Sequence, residues 1–199
     1  SALATAGCAE VSTERARRGE IEFEPALREI GARWQNGNMD PSIEHLASRI
    51  AHEFIGRLGR RVSPPPVDAP LVAMVRVSGN EHSLGQDCLR VHFAAAGLRA
   101  RTVFVDSDEA PLLETLAGFG AGAVAISCML PAQLLRVREL VGWIRRTPEL
   151  GALPVLVGGG MFADIPQLAT QVGADATAVD GPSAAAELSY LLLGTGVGR

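Results

Sequence analysis

The sequence predicts an α/β chain: a five-stranded, doubly wound parallel sheet of flavodoxin or Rossmann-like type, preceded by a small helical cap. Three observations predict it. Beyond residue 70, five short apolar runs alternate with helical patterns, as strands covered on both faces must alternate with their crossover helices. Before residue 59, apolar positions recur instead at helical spacing. Between these regions lies a segment with three consecutive prolines, Pro64 to Pro66, and a fourth at Pro70, a composition that favours extended, semi-rigid chain. The expected division is a cap over 1–58, a linker over 59–70 and a sheet domain over 71–199.

The elements follow in order. Residues 1–19 are Ala-rich with a charged end and give only a weak helical signal. Phe23, Leu27, Ile30 and Trp34 then share one helical face, Pro25 suits a first turn, and Gly37 suits a terminator. Asp40-Pro41 supplies an N-cap and a proline at the first helical position, ahead of the stripe Ile43, Leu46, Ala47, Ile50, Phe54 and Leu58. A second helix, antiparallel to the first, is expected there. Strands are expected near 71–77, 101–105, 122–127, 154–158 and 176–179. Helices are expected near 84–97, 109–118, 131–146, 164–172 and 182–193.

Charge and cysteine usage narrow the function classes. The 199 residues carry a net charge of -4, and the short Arg15 to Arg18 and Arg57 to Arg61 clusters are interrupted by Glu14 and Gly59. They read as solvated faces rather than a nucleic-acid footprint. Cys8, Cys88 and Cys128 are too far apart for a CxxC site and suit a reducing cytoplasm. No apolar run nears the roughly 20 residues that span a bilayer, and no basic-then-apolar signal segment opens the chain. The chain starts at Ser1 rather than methionine, as expected of one trimmed at its amino terminus, where a further domain could precede it.

The candidate site lies at the carboxyl ends of the strands, the edge where open α/β sheets bind ligands. His82 follows the first strand in Ser78-Gly79-Asn80-Glu81-His82-Ser83-Leu84-Gly85. A neutral imidazole there is a ready metal ligand, Asn80 can orient its ring, and Gly85 lets a bulky ligand approach the helix amino terminus. The third strand ends Ser127-Cys128-Met129, and the fourth ends in the run Gly158 to Gly160. A hydroxyl at one strand end and glycines at the next would line a slot that admits a flat group. His92, ten residues after His82, reads as an ordinary helix-face residue.

These three motifs, in this order and over about residues 70–193, resemble the cobalamin-binding domains, whose pattern is Asp-x-His-x-x-Gly, then Ser-x-Leu, then Gly-Gly. The resemblance implies cobalamin bound with its dimethylbenzimidazole displaced. His82 would be the lower ligand of cobalt, Ser127 would contact the base of the displaced nucleotide tail, and Gly158 and Gly159 would flank that tail. Asn80 stands where the family has a carboxylate, which implies softer tuning of the histidine. Met129 replaces a leucine and should affect only packing.

In the cap, Trp34 is followed after nine residues by Glu44-His45. That spacing is similar to the helical cap of the CarH and LitR adenosylcobalamin photoreceptors, in which these residues lie above the corrin. The resemblance implies that Trp34 packs on the adenosyl group while Glu44 accepts hydrogen bonds from its ribose. Gln35 stands where some of those photoreceptors have a second histidine. The expected function is therefore a light-sensing regulatory module rather than an enzyme: photolysis of adenosylcobalamin would shift the cap and alter association with itself or with a regulatory partner. The alternative is a corrinoid carrier of methyl groups for methyltransferases. A bilin as second chromophore is a minor alternative, with no motif of its own here.

Overall fold

The computed structural model describes residues 41–77, 84–105 and 109–194. The first described element, α1 (Pro41–Gly59), begins at the proline expected to open it; the helix expected over 23–36 lies outside the described residues. A turn around Val62 and the proline segment lead into β1 (Leu71–Val77). There follow α2 (Leu84–Ala95), β2 (Arg99–Val105), α3 (Glu109–Phe119) and β3 (Ala123–Ser127). A 3-10 turn over Pro131–Gln133 precedes α4 (Leu134–Arg146) and β4 (Val155–Gly158). The last elements are α5 (Gly160–Asp164), α6 (Leu168–Val172), β5 (Ala176–Ala178) and α7 (Gly181–Gly194).

All strand pairings are parallel, in the order β2-β1-β3-β4-β5. The winding direction reverses between β1 and β3, so the carboxyl ends of these two neighbours form the crevice of a doubly wound sheet. β1 is apolar throughout except at Arg76, and its other six residues are all buried, as expected of a strand sandwiched between helices.

The period-2 alternation of the strands divides the core in two. One face turns Val75, Val103, Ile126 and Val157 toward Leu116 of α3, Leu140 and Ile144 of α4 and Phe162 of α5. The other turns Val72, Met74, Ala125 and Leu156 toward Phe93 of α2 and Ala184, Ala185 and Leu188 of α7. Outside the second layer, α1 lies on the back of α2: Ile55 and Val62 pack against Cys88, Val91 and Ala95. Helix α2 is therefore covered on two sides. This is why His92, expected on an ordinary helix face, is buried at 2% exposure.

Two boundaries differ from the sequence expectation. The helix expected over 164–172 is two short helices, because Pro166 cannot continue a helix and holds Ile165 extended, at φ -135° and ψ 78°. Strand β2 starts at Arg99, two residues early, since Gly97 at φ +78° ends the preceding turn and an edge strand tolerates a charged residue. Among the described residues no helix is long and apolar enough to cross a membrane.

Candidate functional site

The register of the sheet aligns the strand ends in one row. Phe104 of β2 pairs with Arg76 of β1, Arg76 with Ser127 of β3, Ser127 with Gly158 of β4, and Gly158 with Ala178 of β5. Residues in register across a parallel sheet project from the same face. Ala178 belongs to the layer beneath α2 and α7, so Arg76, Ser127 and Gly158 face that side too. Ser127 and Gly158, expected to line one slot, are therefore immediate neighbours.

Small residues keep this part of the edge open. Ser127, Gly158 and Ala178 line its sheet side, and Gly181, Ala184 and Ala185 come from the first turns of α7 above it. A Cβ added at Gly158 would lie 3.3 Å from the Ala178 carbonyl oxygen, so even alanine would crowd the row. Gly85, in the first turn of α2, is exposed and its missing Cβ would meet nothing within 4 Å. Protein packing does not require a glycine there, whereas a bulky group resting on the helix start would.

Gly159 has a different, structural reason. Its φ is +94°, and a Cβ would fall 2.5 Å from the Cys128 carbonyl oxygen, a position no side chain can occupy. The close approach is fixed by the Cys128 amide donating to the Gly158 carbonyl at 2.9 Å and the Met161 amide donating to the Cys128 carbonyl at 3.3 Å. The sequence predicts that Gly159 flanks the ligand; what the fold shows is that it joins the ends of β3 and β4.

The loop after β3 is held by a residue the sequence reading missed. Gln133, 6% exposed, accepts from the Met129 and Leu130 amides at 3.0 and 3.1 Å through Oε1. The Gly160 amide donates to the Met129 sulfur at 3.4 Å, laying that side chain along the glycine run. Burial pushes the Cys128 thiol up from its ordinary range, outweighing the opposing effect of its backbone hydrogen bond at Leu130. A neutral, inert thiol results. Across the edge, Asp180 and Ser183 cap α7 reciprocally: the Ser183 amide donates to Oδ1 of Asp180 at 2.9 Å, and the Asp180 amide donates to the Ser183 hydroxyl oxygen at 3.3 Å.

Other expected residues are placed only in part. Trp34, Asn80 and His82 lie outside the described residues; His82 comes five residues after the end of β1 and two before the start of α2. Glu44 falls in the first turn of α1, with its side chain outside the described set, and His45 is exposed beside it. His52, further along α1, donates from Nδ1 to the Ser48 carbonyl at 2.9 Å and lies 3.7 Å from Asp87 of α2, linking the two helices. Among the described residues no three His, Cys, Asp or Glu side chains converge as a metal cage.

With this geometry in place, the B12 binding domain family matches residues 70–189. The chain belongs to that family. The matched span runs from the start of β1 into α7, so it takes in the whole sheet and the strand-end row, and the cofactor class is cobalamin. The chain is 25% identical over 169 residues, 83% of its length and 77% of the relative's, to a corrinoid protein of Desulfitobacterium hafniense strain Y51. Its fold is shared with a Methanosarcina barkeri monomethylamine corrinoid protein, at a TM-score of 0.68 and 16% identity over 94% of this chain and 92% of that one. A cobalamin-binding protein from Desulfitobacterium hafniense DCB-2 gives a TM-score of 0.56 at 18% identity, covering 96% and 98% of the two chains.

Proposed function

We propose that this B12-binding chain is a corrinoid carrier: it holds cobalamin with the lower nucleotide displaced and presents the upper face to partner enzymes that load and unload a methyl group. The binding half of this reading rests on the register of Ser127, Gly158 and Ala178 in one row of small residues beneath the start of α7. The carrier half is supported by the relatives, described as a corrinoid protein and a monomethylamine corrinoid protein.

Bound cobalamin would supply a cobalt able to accept and release a methyl group on its upper side. The chain's own residues bind and orient. His82 would supply a ring nitrogen to the metal, and Asn80 would orient that ring without adding the charge a carboxylate would. Gly85 leaves room for the macrocycle at the start of α2. Ser127 would offer its hydroxyl to a nitrogen of the displaced base, and Gly158 and Gly159 would let the flat tail pass between strand ends. A tail buried in this row would keep water from the bound group. In this reading the partner enzymes carry out the transfer and this chain holds the group.

Light sensing is the second reading, favoured by the spacing of Trp34 with Glu44 and His45. In it those side chains would hold the adenosyl group of adenosylcobalamin, and its photolytic loss would release the cap to change self-association or a regulatory contact. A bilin chromophore would be an addition to that reading, with no residue yet assigned to it.

One experiment separates these readings. The purified chain is loaded in the dark with hydroxocobalamin or adenosylcobalamin, and absorption spectra and size-exclusion profiles are taken before and after green illumination. The carrier reading expects a histidine-bound corrinoid spectrum that His82→Ala abolishes, and no light-driven change in assembly. A change of oligomeric state on illumination of the adenosyl form would favour the sensor. No bound corrinoid in the wild type would end both.

A further inference from the structure

We propose that the groove between α4 and α6 is a docking site for an acidic polypeptide segment of a partner protein. Both helices pack on the face of the sheet that holds Val75, Ile126 and Val157, opposite the side on which Ser127 and Gly158 project, so the site is separate from the strand-end row and independent of the corrinoid reading. The groove encloses about 550 Å³. Arg138, Gly142 and Arg146 of α4 line one wall and Thr170 and Gln171 of α6 the other, over buried Val141 and Val172.

The first observation is charge. Of the four arginines of α4, Arg136 is paired with Glu139 at 3.1 Å and Arg145 with Asp175 at 2.6 Å. Arg138 and Arg146 enter no hydrogen bond or ion pair among the described residues. The facing wall does not answer them, since α6 carries no charge. Glu149, the next acid along the chain, lies past the end of α4 and does not line the groove. Two cations therefore stand on one helix face, eight residues and about 12 Å apart along the axis. Helical side chains lean together toward the amino terminus, so that spacing is kept and a single small anion would satisfy only one of them.

The second observation is Gly142, between the two arginines. Glycine inside a helix weakens it relative to alanine, and packing does not demand one here. Outside its own helix backbone, a Cβ would meet only the tip of the Arg146 side chain, with Nη1 at 3.0 Å, and that tip can swing aside. What the missing side chain does is deepen the groove midway between the cations.

The occupant follows from these features. Two carboxylates about four residues apart on an extended chain span the distance between the arginines. Exposed Thr170 and Gln171 offer a hydroxyl and an amide to its backbone, and Leu135, 73% exposed at the groove margin, offers an apolar contact.

The test is fluorescence anisotropy of the full chain with a fluorescein-labelled, amidated peptide, Glu-Leu-Ser-Leu-Glu, against the same peptide with glutamine at both ends. The wild type is expected to bind the acidic peptide in preference to the neutral one, and less tightly as salt is added. Arg138→Gln combined with Arg146→Gln should lose about tenfold in affinity. Gly142→Leu, which leaves the charge unchanged, should weaken binding by filling the groove. Circular dichroism and cobalamin titration of each variant should match wild type, which separates loss of the groove from loss of the fold. Equal binding of the two peptides, or of neither, overturns the assignment, as does undiminished binding by the double variant or by Gly142→Leu. Displacement of the peptide by inorganic phosphate, beyond that given by chloride at the same ionic strength, also overturns it, because the groove would then be a site for small anions.

Discussion

The two edges of the same sheet are built on opposite terms. At the amino edge, Arg145 of α4 donates to the Gly151 and Leu153 carbonyls at 3.1 and 2.7 Å and to Asp175 at 2.6 Å. Asp175 in turn accepts from the Val155 amide at 2.7 Å. One guanidinium and one carboxylate thus tie the starts of β4 and β5 to the end of α4. At the carboxyl edge the same two strands end in Gly158 and Ala178, with backbone contacts and small side chains in place of long polar ones. A sheet can afford an open, thinly furnished edge when the opposite edge is clamped, which separates the residues that keep the fold from those proposed to meet the cofactor.

That contrast can be broken by substitution. Gly159→Ala should have the largest effect, about 3 kcal/mol of lost stability from a positive φ and a backbone clash, with cobalamin binding lost alongside, since the ends of β3 and β4 must part. Urea unfolding and cobalamin titration of one preparation would read both. Arg145→Ala should cost about 2 kcal/mol through orphaned carbonyls and an unpaired Asp175, yet leave cobalamin affinity where it was; a parallel fall in affinity would dissolve the distinction between the edges. Asp180→Ala removes the cap of α7 at about 1 kcal/mol, and thermal unfolding should show it as a small drop in Tm.

The smallest effect concerns pH. The thiol of Cys128 is raised above its ordinary 9.0 in the fold, so the unfolded chain loses that proton first. Its contribution to stability is whole below pH 9 and declines as pH rises past that value. Cys128→Ser should flatten this alkaline decline, measured by unfolding across pH 8 to 10, and native Cys128 should resist iodoacetamide until the chain is unfolded.

Much of the fold was legible because buried parallel strands are continuous apolar runs and Pro41 marks a helix start without tertiary help. The split at Pro166 was legible in principle from the proline itself, but the apolar positions on both sides mimic a single helix. For the site, sequence placed Ser127 and the glycines at strand ends; only register makes them neighbours and adds Arg76 to their row, because pairing joins residues some 50 and 30 positions apart. The Arg145 and Asp175 clamp left no periodic signal for the same reason. Gln133 was hidden because a buried glutamine that holds a loop looks, in sequence, like any surface amide. The burial of His92 reflects α1 lying on a helix that already faces the sheet.

The joint between Cys128 and Gly159 has one more consequence. Because backbone atoms of β3 and β4 set the separation of those strand ends, the width of the slot is a property of the main chain and is in place before any ligand arrives. Little ordering has then to accompany capture, so differences in affinity among corrinoids should be expressed in how slowly they leave rather than how quickly they arrive. The joint makes the gap a fixed gauge, set by the fold rather than by whatever would enter it.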